Sequence, residues 1–327
     1  MRYRDRVPLT DMTLDELRTY RPEVAISPDF DDFWRTTLAE SRAAAEDPAL
    51  VSAETPVTQL IIEDLTFSGF GGDPIRAWVT RPRSDAALPA IVEYIGYGGG
   101  RGIAGEQLQW ASAGYVHVLM DTRGQGSGWG TGGDTPDPHG SDGATAGYMT
   151  RGIRDRDTYY YRRLFTDAAL AVDAVRTLPF VNASRVSVTG VSQGGGTALA
   201  AAALHEDVFA VMPDVPFLCH FRRSVELTPQ NPFREIERYL AVHRDSVDRV
   251  FETLSNFDGV NFARRISQPA LFSVGLMDAT VLPSSIFAAY NQVASTDAAI
   301  EVYQFNGHEG GQHAHWVRQA EWLAARL

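Results

Sequence analysis

The feature that most constrains this chain is a succession of short apolar runs without regular polar alternation. They are Ala90 to Ile95, Tyr115 to Met120, Val186 to Val191, Phe209 to Met212, Ala270 to Val274 and Ile300 to Phe305. A strand with one wet face alternates apolar and polar residues, so runs of this character read as central strands buried on both faces. Helical segments lie among them, at Tyr160 to Leu178, Ser192 to Leu204, Ser284 to Val293 and Gly311 to Leu327. That alternation predicts an α/β fold with a mainly parallel, doubly wound sheet and helices on both faces. Leu60 to Phe67 and Ile75 to Thr80 read as an antiparallel lead-in to it.

No repeat or flexible linker divides the 327 residues, so a single domain over 1–327 is expected. It carries a helical N-terminal extension over about 1–50 and a cap-like helical insertion over about 216–266. Thr13-Leu14-Asp15-Glu16 is a capping box that opens the first helix. A second helix opens at Ser27-Pro28, with Phe30, Phe33, Trp34 and Leu38 on one face as a packing stripe. The Gly/Pro/Asp-rich stretch 126–156 exceeds an ordinary turn and reads as a functional or oligomer-contacting loop.

Composition excludes several classes. No stretch approaches the roughly 20 apolar residues of a membrane span. Met1 to Arg6 is followed by no apolar signal core, so export is not expected. Cys219 is alone, which rules out an internal disulfide and fits a reducing cytoplasm. A formal charge of −12 opposes nucleic acid and anionic lipid, and suits a neutral substrate.

The chemistry centres on Gly190-Val191-Ser192-Gln193-Gly194, where a buried strand meets an Ala-rich helix. Gly-x-Ser-x-Gly in that setting is a nucleophile elbow. The serine occupies a sharp turn that exposes its hydroxyl, and glycines let strand and helix approach closely. The helix N-terminus adds positive potential where an oxyanion would form. A serine nucleophile needs a base and an acid, following it in that fold in the order acid, then histidine. Of eight histidines, His308 follows the last strand in a Gly-flanked loop and is the candidate base. His117 sits within a strand as a core residue, and His313 and His315 read as surface positions on the final helix. Residues two apart on a helix do not face one another, so that pair suggests no metal site. Asp278, after the strand Ala270 to Val274, is the candidate acid, with Asp214 as runner-up. The backbone N–H groups of Gln193 and of Tyr97, in Gly96-Tyr97-Gly98-Gly99-Gly100, are the candidate oxyanion donors. Those glycines lack the lysine of a phosphate loop and the spacing of a dinucleotide site. Arg123, in Asp121-Thr122-Arg123-Gly124-Gln125, is expected to be architectural, paired with Glu309 beside the histidine or in some other buried pair. Asn182-Ala183-Ser184 reads as a turn rather than a glycosylation site.

Together, Arg123-Gly124-Gln125, Gly190 to Gly194 and His308-Glu309, in that order, resemble carbohydrate esterase family seven, the acetyl xylan esterases and cephalosporin C deacetylases. Asp214 to Arg223, Leu254 to Ala263 and Gly275 to Asp278 reinforce the resemblance, which runs from about Pro8 to the end. It implies an α/β-hydrolase fold, a Ser192/Asp278/His308 triad and oxyanion donors at Tyr97 and Gln193. It further implies a narrow pocket lined by aromatics such as Tyr97 and Phe217, with Thr280 touching the acyl pocket. Reaction would pass through an acetyl-enzyme without metal or cofactor. The implied partners are small acetylated substrates such as xylo-oligosaccharides or cephalosporin C, and other copies of the chain in a cytoplasmic homo-oligomer, usually a hexamer. One departure is Val281-Leu282-Pro283, where the family often has Cys-Pro-Pro. The alternatives are a peptidase of the same fold, for whose usual extra domain this chain has no room, and a hydrolase-fold binding protein that has lost catalysis.

Overall fold

The computed structural model describes residues 11–140 and 146–327. Its frame is a nine-stranded sheet in the order β1-β2-β3-β5-β4-β6-β7-β8-β9. The strands are β1 (Ala49–Ser52), β2 (Leu60–Ser68), β3 (Pro74–Pro82), β4 (Leu88–Tyr94), β5 (Val116–Met120), β6 (Val181–Val191), β7 (Val211–Asp214), β8 (Ala270–Gly275) and β9 (Ala298–Tyr303). Pairing is antiparallel from β1 to β3 and between β3 and β5. It is parallel from β5 through β4, β6, β7 and β8 to β9. The apolar runs therefore form the parallel body and the alternating segments the antiparallel side. β7 lies two residues further along than its apolar run implies, with Met212, Pro213 and Asp214 paired to the end of β6.

Burial follows the same logic. β5, β7 and β8 are buried at every position, whereas in β3 Ile75, Ala77 and Val79 are buried while Pro74, Arg76 and Trp78 keep some exposure. Successive residues of β4 serve opposite faces. Ala90 and Val92 join the larger core, and Ile91 joins a smaller one with Trp110, Met212, Leu271 and Leu323.

The helices are α1 (Leu14–Thr19), α2 (Phe30–Ala43), α3 (Gln109–Ser112), α4 (Tyr160–Arg176), α5 (Gln193–Leu204), α6 (Phe221–Leu227), α7 (Phe233–Val242), α8 (Val247–Ser255), α9 (Gly259–Ala263), α10 (Pro283–Tyr290) and α11 (Gln312–Ala324). The Thr13–Glu16 capping box forms at α1. On α2 the aromatic stripe packs as expected. Trp34 lies 5.5 Å from Phe257 and 5.6 Å from Phe262, and its indole N–H donates to the Asn256 carbonyl at 3.0 Å. α6 to α9 fill the stretch between β7 and β8, where the cap-like insertion was expected. Buried Asp258 gathers its base, accepting the amides of His220 (2.8 Å), Phe221 (2.9 Å) and Val260 (3.0 Å). No helix among the described residues is long and apolar enough to cross a membrane.

Candidate active site

β6 runs into α5 through Ser192, whose φ of 58° and ψ of −115° are strained for a non-glycine residue. The surroundings hold it there. Its N–H donates to the Asp214 carbonyl and its carbonyl accepts the Phe217 N–H, both at 2.9 Å. Glycine is required on either side. A side chain at Gly190 would lie 2.5 Å from the Gly194 carbonyl carbon, and one at Gly194 would run into the Tyr94 carbonyl oxygen.

The loops after β8 and β9 bring the partners to this turn. His308 stands between the two groups it must connect, with Nε2 2.9 Å from Ser192 Oγ and Nδ1 2.8 Å from Asp278 Oδ2. Asp278 is fully buried, and its Oδ1 accepts the amides of Thr280 (2.7 Å) and Val281 (2.8 Å). Every acceptor oxygen facing the protein is thus used. The carboxylate cannot rotate away from the imidazole without leaving amides unpaired.

Asp214, the runner-up acid, serves another cluster. It accepts the Ser273 hydroxyl and lies 4.0 Å from His315, and burial pushes its carboxyl up. His315 corrects the sequence reading, since it is fully buried rather than on the surface. It shares the inward face of α11 with Gln319 and Leu323 at helical spacing, and bonds the Tyr303 hydroxyl at 3.0 Å. Burial pushes its imidazole down. His313 points outward and stacks on Trp316 at 5.1 Å, and His117 is buried against Glu93 at 2.9 Å.

Neither the Tyr97 nor the Gln193 amide donates to a backbone carbonyl among the described residues. The Gln193 side chain and the backbone just after Tyr97 are tied into one scaffold by Gln125. Gln125 Oε1 accepts the Gly98 amide at 2.6 Å, while its Nε2 donates to Gln193 Oε1 and to the Tyr160 hydroxyl, both at 3.0 Å. Gln193 Nε2 in turn donates to the Ile95 carbonyl at 3.2 Å, and the Tyr161 hydroxyl donates to Gln193 Oε1 at 3.0 Å. Phe217 is fully buried behind Tyr97, with rings 6.4 Å apart, and so backs that wall rather than offering exposed surface. The Thr280 hydroxyl donates to Gln230 Oε1 at 2.8 Å, linking the acid loop to the insertion.

The expected pairing of Arg123 with Glu309 does not occur. Arg123 is fully buried and bidentate on Asp167 at 2.6 and 2.7 Å, and it reaches Asp73 at 2.9 Å and Asp137 at 3.4 Å. Its charge is therefore spent beneath the Gly124 turn, where it fixes the start of the Gln125 loop. Glu309 is exposed and braces its own loop, accepting from Gly307 N–H and Asn306 Nδ2 at 3.1 Å. Three residues at this site carried no readable sequence signal in that role. They are Trp129, whose indole N–H donates to the Tyr97 carbonyl at 2.7 Å, Glu235, which meets the Tyr97 hydroxyl, and Tyr161.

An elbow serine, an imidazole and a buried carboxylate on a doubly wound sheet define a serine hydrolase of the α/β-hydrolase fold. Comparison narrows the class. The acetyl xylan esterase (AXE1) family pattern matches residues 7–326, and the chain belongs to that family. It is a carboxylic ester hydrolase. Its structure is similar to that of an acetyl xylan esterase from Paenibacillus sp. R4, with 38% identity, a TM-score of 0.89 and coverage of 96% of this chain and 99% of that one. It is similar also to acetyl xylan esterase 1 from Thermoanaerobacterium sp. JW/SL YS485, with 34% identity, a TM-score of 0.87 and the same coverage. The acetyl esterase Axe7A of Xylanibacter ruminicola is 24% identical over 314 residues, which span 91% of this chain and 67% of that protein.

Proposed function

We propose that this enzyme removes acetyl groups from small O-acetylated sugars, with Ser192 as nucleophile, His308 as general base and acid, and Asp278 as the residue that orients His308. The observation that carries the reading is the His308 imidazole set between the Asp278 carboxylate and the Ser192 hydroxyl at 2.8 and 2.9 Å. Ser192 Oγ attacks the acetyl carbonyl carbon as His308 Nε2 takes its proton. The amides of Tyr97 and Gln193 stabilise the oxyanion, and the imidazolium then protonates the departing alcohol oxygen. Water, activated by the same imidazole, hydrolyses the acetyl-enzyme and restores the serine. Asp278 holds the Nδ1–H tautomer and stabilises the cation in both halves.

Acetylated xylo-oligosaccharides, glucose pentaacetate and cephalosporin C form the informative substrate panel. Acetate, butyrate and octanoate esters of one chromogenic alcohol test the acyl preference directly. A higher kcat/KM for octanoate than for acetate sinks the deacetylase reading, since a small acyl pocket rejects added methylenes sterically. Ser192→Ala should abolish turnover and leave the circular dichroism spectrum unchanged. The cytoplasmic homo-oligomer implied by the family resemblance belongs to the same proposal, and sedimentation of the purified chain reads its size.

A further inference from the structure

The glycine-rich loop around Tyr97 has little rigidity of its own. Tyr97 is nevertheless held at several points. Its carbonyl accepts the Trp129 indole N–H, the next amide is bound by Gln125, and its hydroxyl lies 2.7 and 2.8 Å from the two carboxylate oxygens of Glu235. The hydroxyl oxygen also faces the amide N–H groups of Gly147 at 3.1 Å and Tyr148 at 2.9 Å. A phenolic oxygen has one proton and two acceptor positions. Two amides fill the acceptor positions, so the proton is donated to Glu235. The Glu235 carboxyl accepts from Tyr97 and, at 3.2 Å, from the Met149 amide, while burial pushes that carboxyl up. Burial pushes the Tyr97 hydroxyl up, which keeps the proton on the phenol.

Glu235 comes from α7, within the insertion, 138 residues further along the chain. Its helix is seated by Phe233, whose ring lies 4.4 Å from that of Phe217, and Phe217 in turn backs Tyr97. On the other side the Tyr97 ring meets Tyr148 at 5.2 Å. One carboxylate, together with the Gly147 and Tyr148 amides, thus fixes the far end of the side chain whose near end carries the candidate oxyanion donor.

We propose that Glu235 is a positioning and specificity-determining residue: it pins the Tyr97 ring against Phe217, which aims the Tyr97 amide at the oxyanion and closes the acyl side of the pocket to chains longer than acetyl. The inference rests on the reading of Tyr97 as an oxyanion donor in an esterase. Loss of the pin frees the ring and the peptide together, so rate and acyl selectivity should change together. A residue that only supported the fold would change the amount of active enzyme and leave selectivity unaltered.

The test uses the full chain with acetate and butyrate esters of one alcohol, in Glu235→Ala, Glu235→Gln, Tyr97→Phe and the Glu235→Ala/Tyr97→Phe double variant. Glu235→Ala and Tyr97→Phe should each lower kcat on the acetate by on the order of tenfold, less than the loss of an oxyanion donor outright. Each should raise the butyrate-to-acetate ratio of kcat/KM by about fivefold. The double variant should be no worse than Tyr97→Phe alone, because the Tyr97–Glu235 bond that Glu235→Ala removes is already lost there. Glu235→Gln, whose amide oxygen still accepts from the phenol, should recover most of the rate and of the selectivity. Additive losses, or an acyl ratio that stays at the unmodified value in both single variants, would overturn the proposal. Should Glu235→Ala fail to fold, the comparison of Tyr97→Phe with Glu235→Gln decides: an unchanged ratio in Tyr97→Phe overturns it, and a changed ratio restored in Glu235→Gln supports it. Labelling of Ser192 by an organophosphonate separates the two levels. An unmodified chain that resists labelling and turnover defeats the esterase reading, whereas a labelled set of variants with constant selectivity defeats only the role of Glu235.

Discussion

The two halves of the site are held in different ways. The triad half is held by backbone at the ends of neighbouring strands. Ser192 is bonded through its own amide and carbonyl to the last residue of β7 and the loop after it, and Asp278 accepts two amides from its own turn. The half proposed to bind the oxyanion is held by side chains from far along the sequence. Gln125, Trp129 and Glu235 stand 27, 32 and 138 residues from the groups they bind. The first half follows once the parallel sheet forms, because its geometry is the geometry of strand ends. The second exists only when the Gln125 loop and the insertion have docked. The triad half should therefore fail by chemistry when mutated, and the oxyanion half by misplacement.

The largest effect expected is on the triad side. Asp278→Asn keeps the shape but inverts the tautomer of His308, and should cost on the order of 10⁴ in kcat, the value for comparable triads. Near-native turnover in that variant would remove Asp278 from the mechanism. Next comes the support beneath the Gln125 loop. Arg123→Met leaves the fully buried Asp167 without its bidentate partner. Stranding one member of a buried ion pair costs about 3–5 kcal/mol, readable in the urea midpoint. Glu309→Ala is the control, and its midpoint should stay put, because that side chain is exposed and braces only its own loop. A smaller effect is expected from Gln125→Leu, which unties Gly98 from Gln193 without touching the triad. It should lower kcat by about 10- to 100-fold, short of outright donor loss, while Ser192 stays reactive to an organophosphonate. If Gln125→Leu abolished labelling as well, the two halves would not be separable.

The difference in how the halves are held also explains what was legible in the sequence. The sheet was readable because apolar runs and their helices are local patterns, and the elbow because glycines at Gly190 and Gly194 have a steric reason at fixed spacing. Asp278 and His308 were candidates from strand order, and their side chains lie in a hydrogen-bonded row with Ser192. The start of β7 was misplaced since Met212 and Pro213 owe their pairing to β6 rather than to their own propensity. His315 was read as surface, although its spacing with Gln319 and Leu323 marks an inward face of α11. The partner of Arg123 was missed because nothing local to Arg123 points to an aspartate on α4. Phe217 was expected as a lining residue and is wholly buried, one layer further in. Glu235 had no signal at all, being one of two acidic residues, with Glu237, on an amphipathic helix. Its meaning arises only from what α7 docks against.

The smallest effect probes the base of the insertion, on which the oxyanion half leans. His220 adopts a left-handed conformation, with φ of 48°, while its amide donates to Asp258. Its Nδ1 has no hydrogen-bond partner among the described residues. Burial, aided by the charge of Arg223, holds the imidazole down from 6.5 to about 4. Between those values the unfolded chain binds a proton that the folded chain refuses. The stability His220 carries is thus complete above pH 6.5 and lost as pH falls towards 4. Asp258 beside it works in the opposite sense. Burial raises its carboxyl from 3.8 to about 6, so the folded chain takes up that proton first and gains stability as pH falls across the same window. The bare pH profile of the protein therefore mixes two opposed neighbours, and only a difference between variants separates them. His220→Gln removes the first and keeps the second. Whatever melting-temperature deficit it shows at pH 7 should shrink by on the order of 2 °C by pH 4.5, a shift that corresponds to about 1.4 kcal/mol in a chain of this size. A deficit that stays constant across that range would mean that His220 takes up its proton equally in both states, and that the base of the insertion is indifferent to acid.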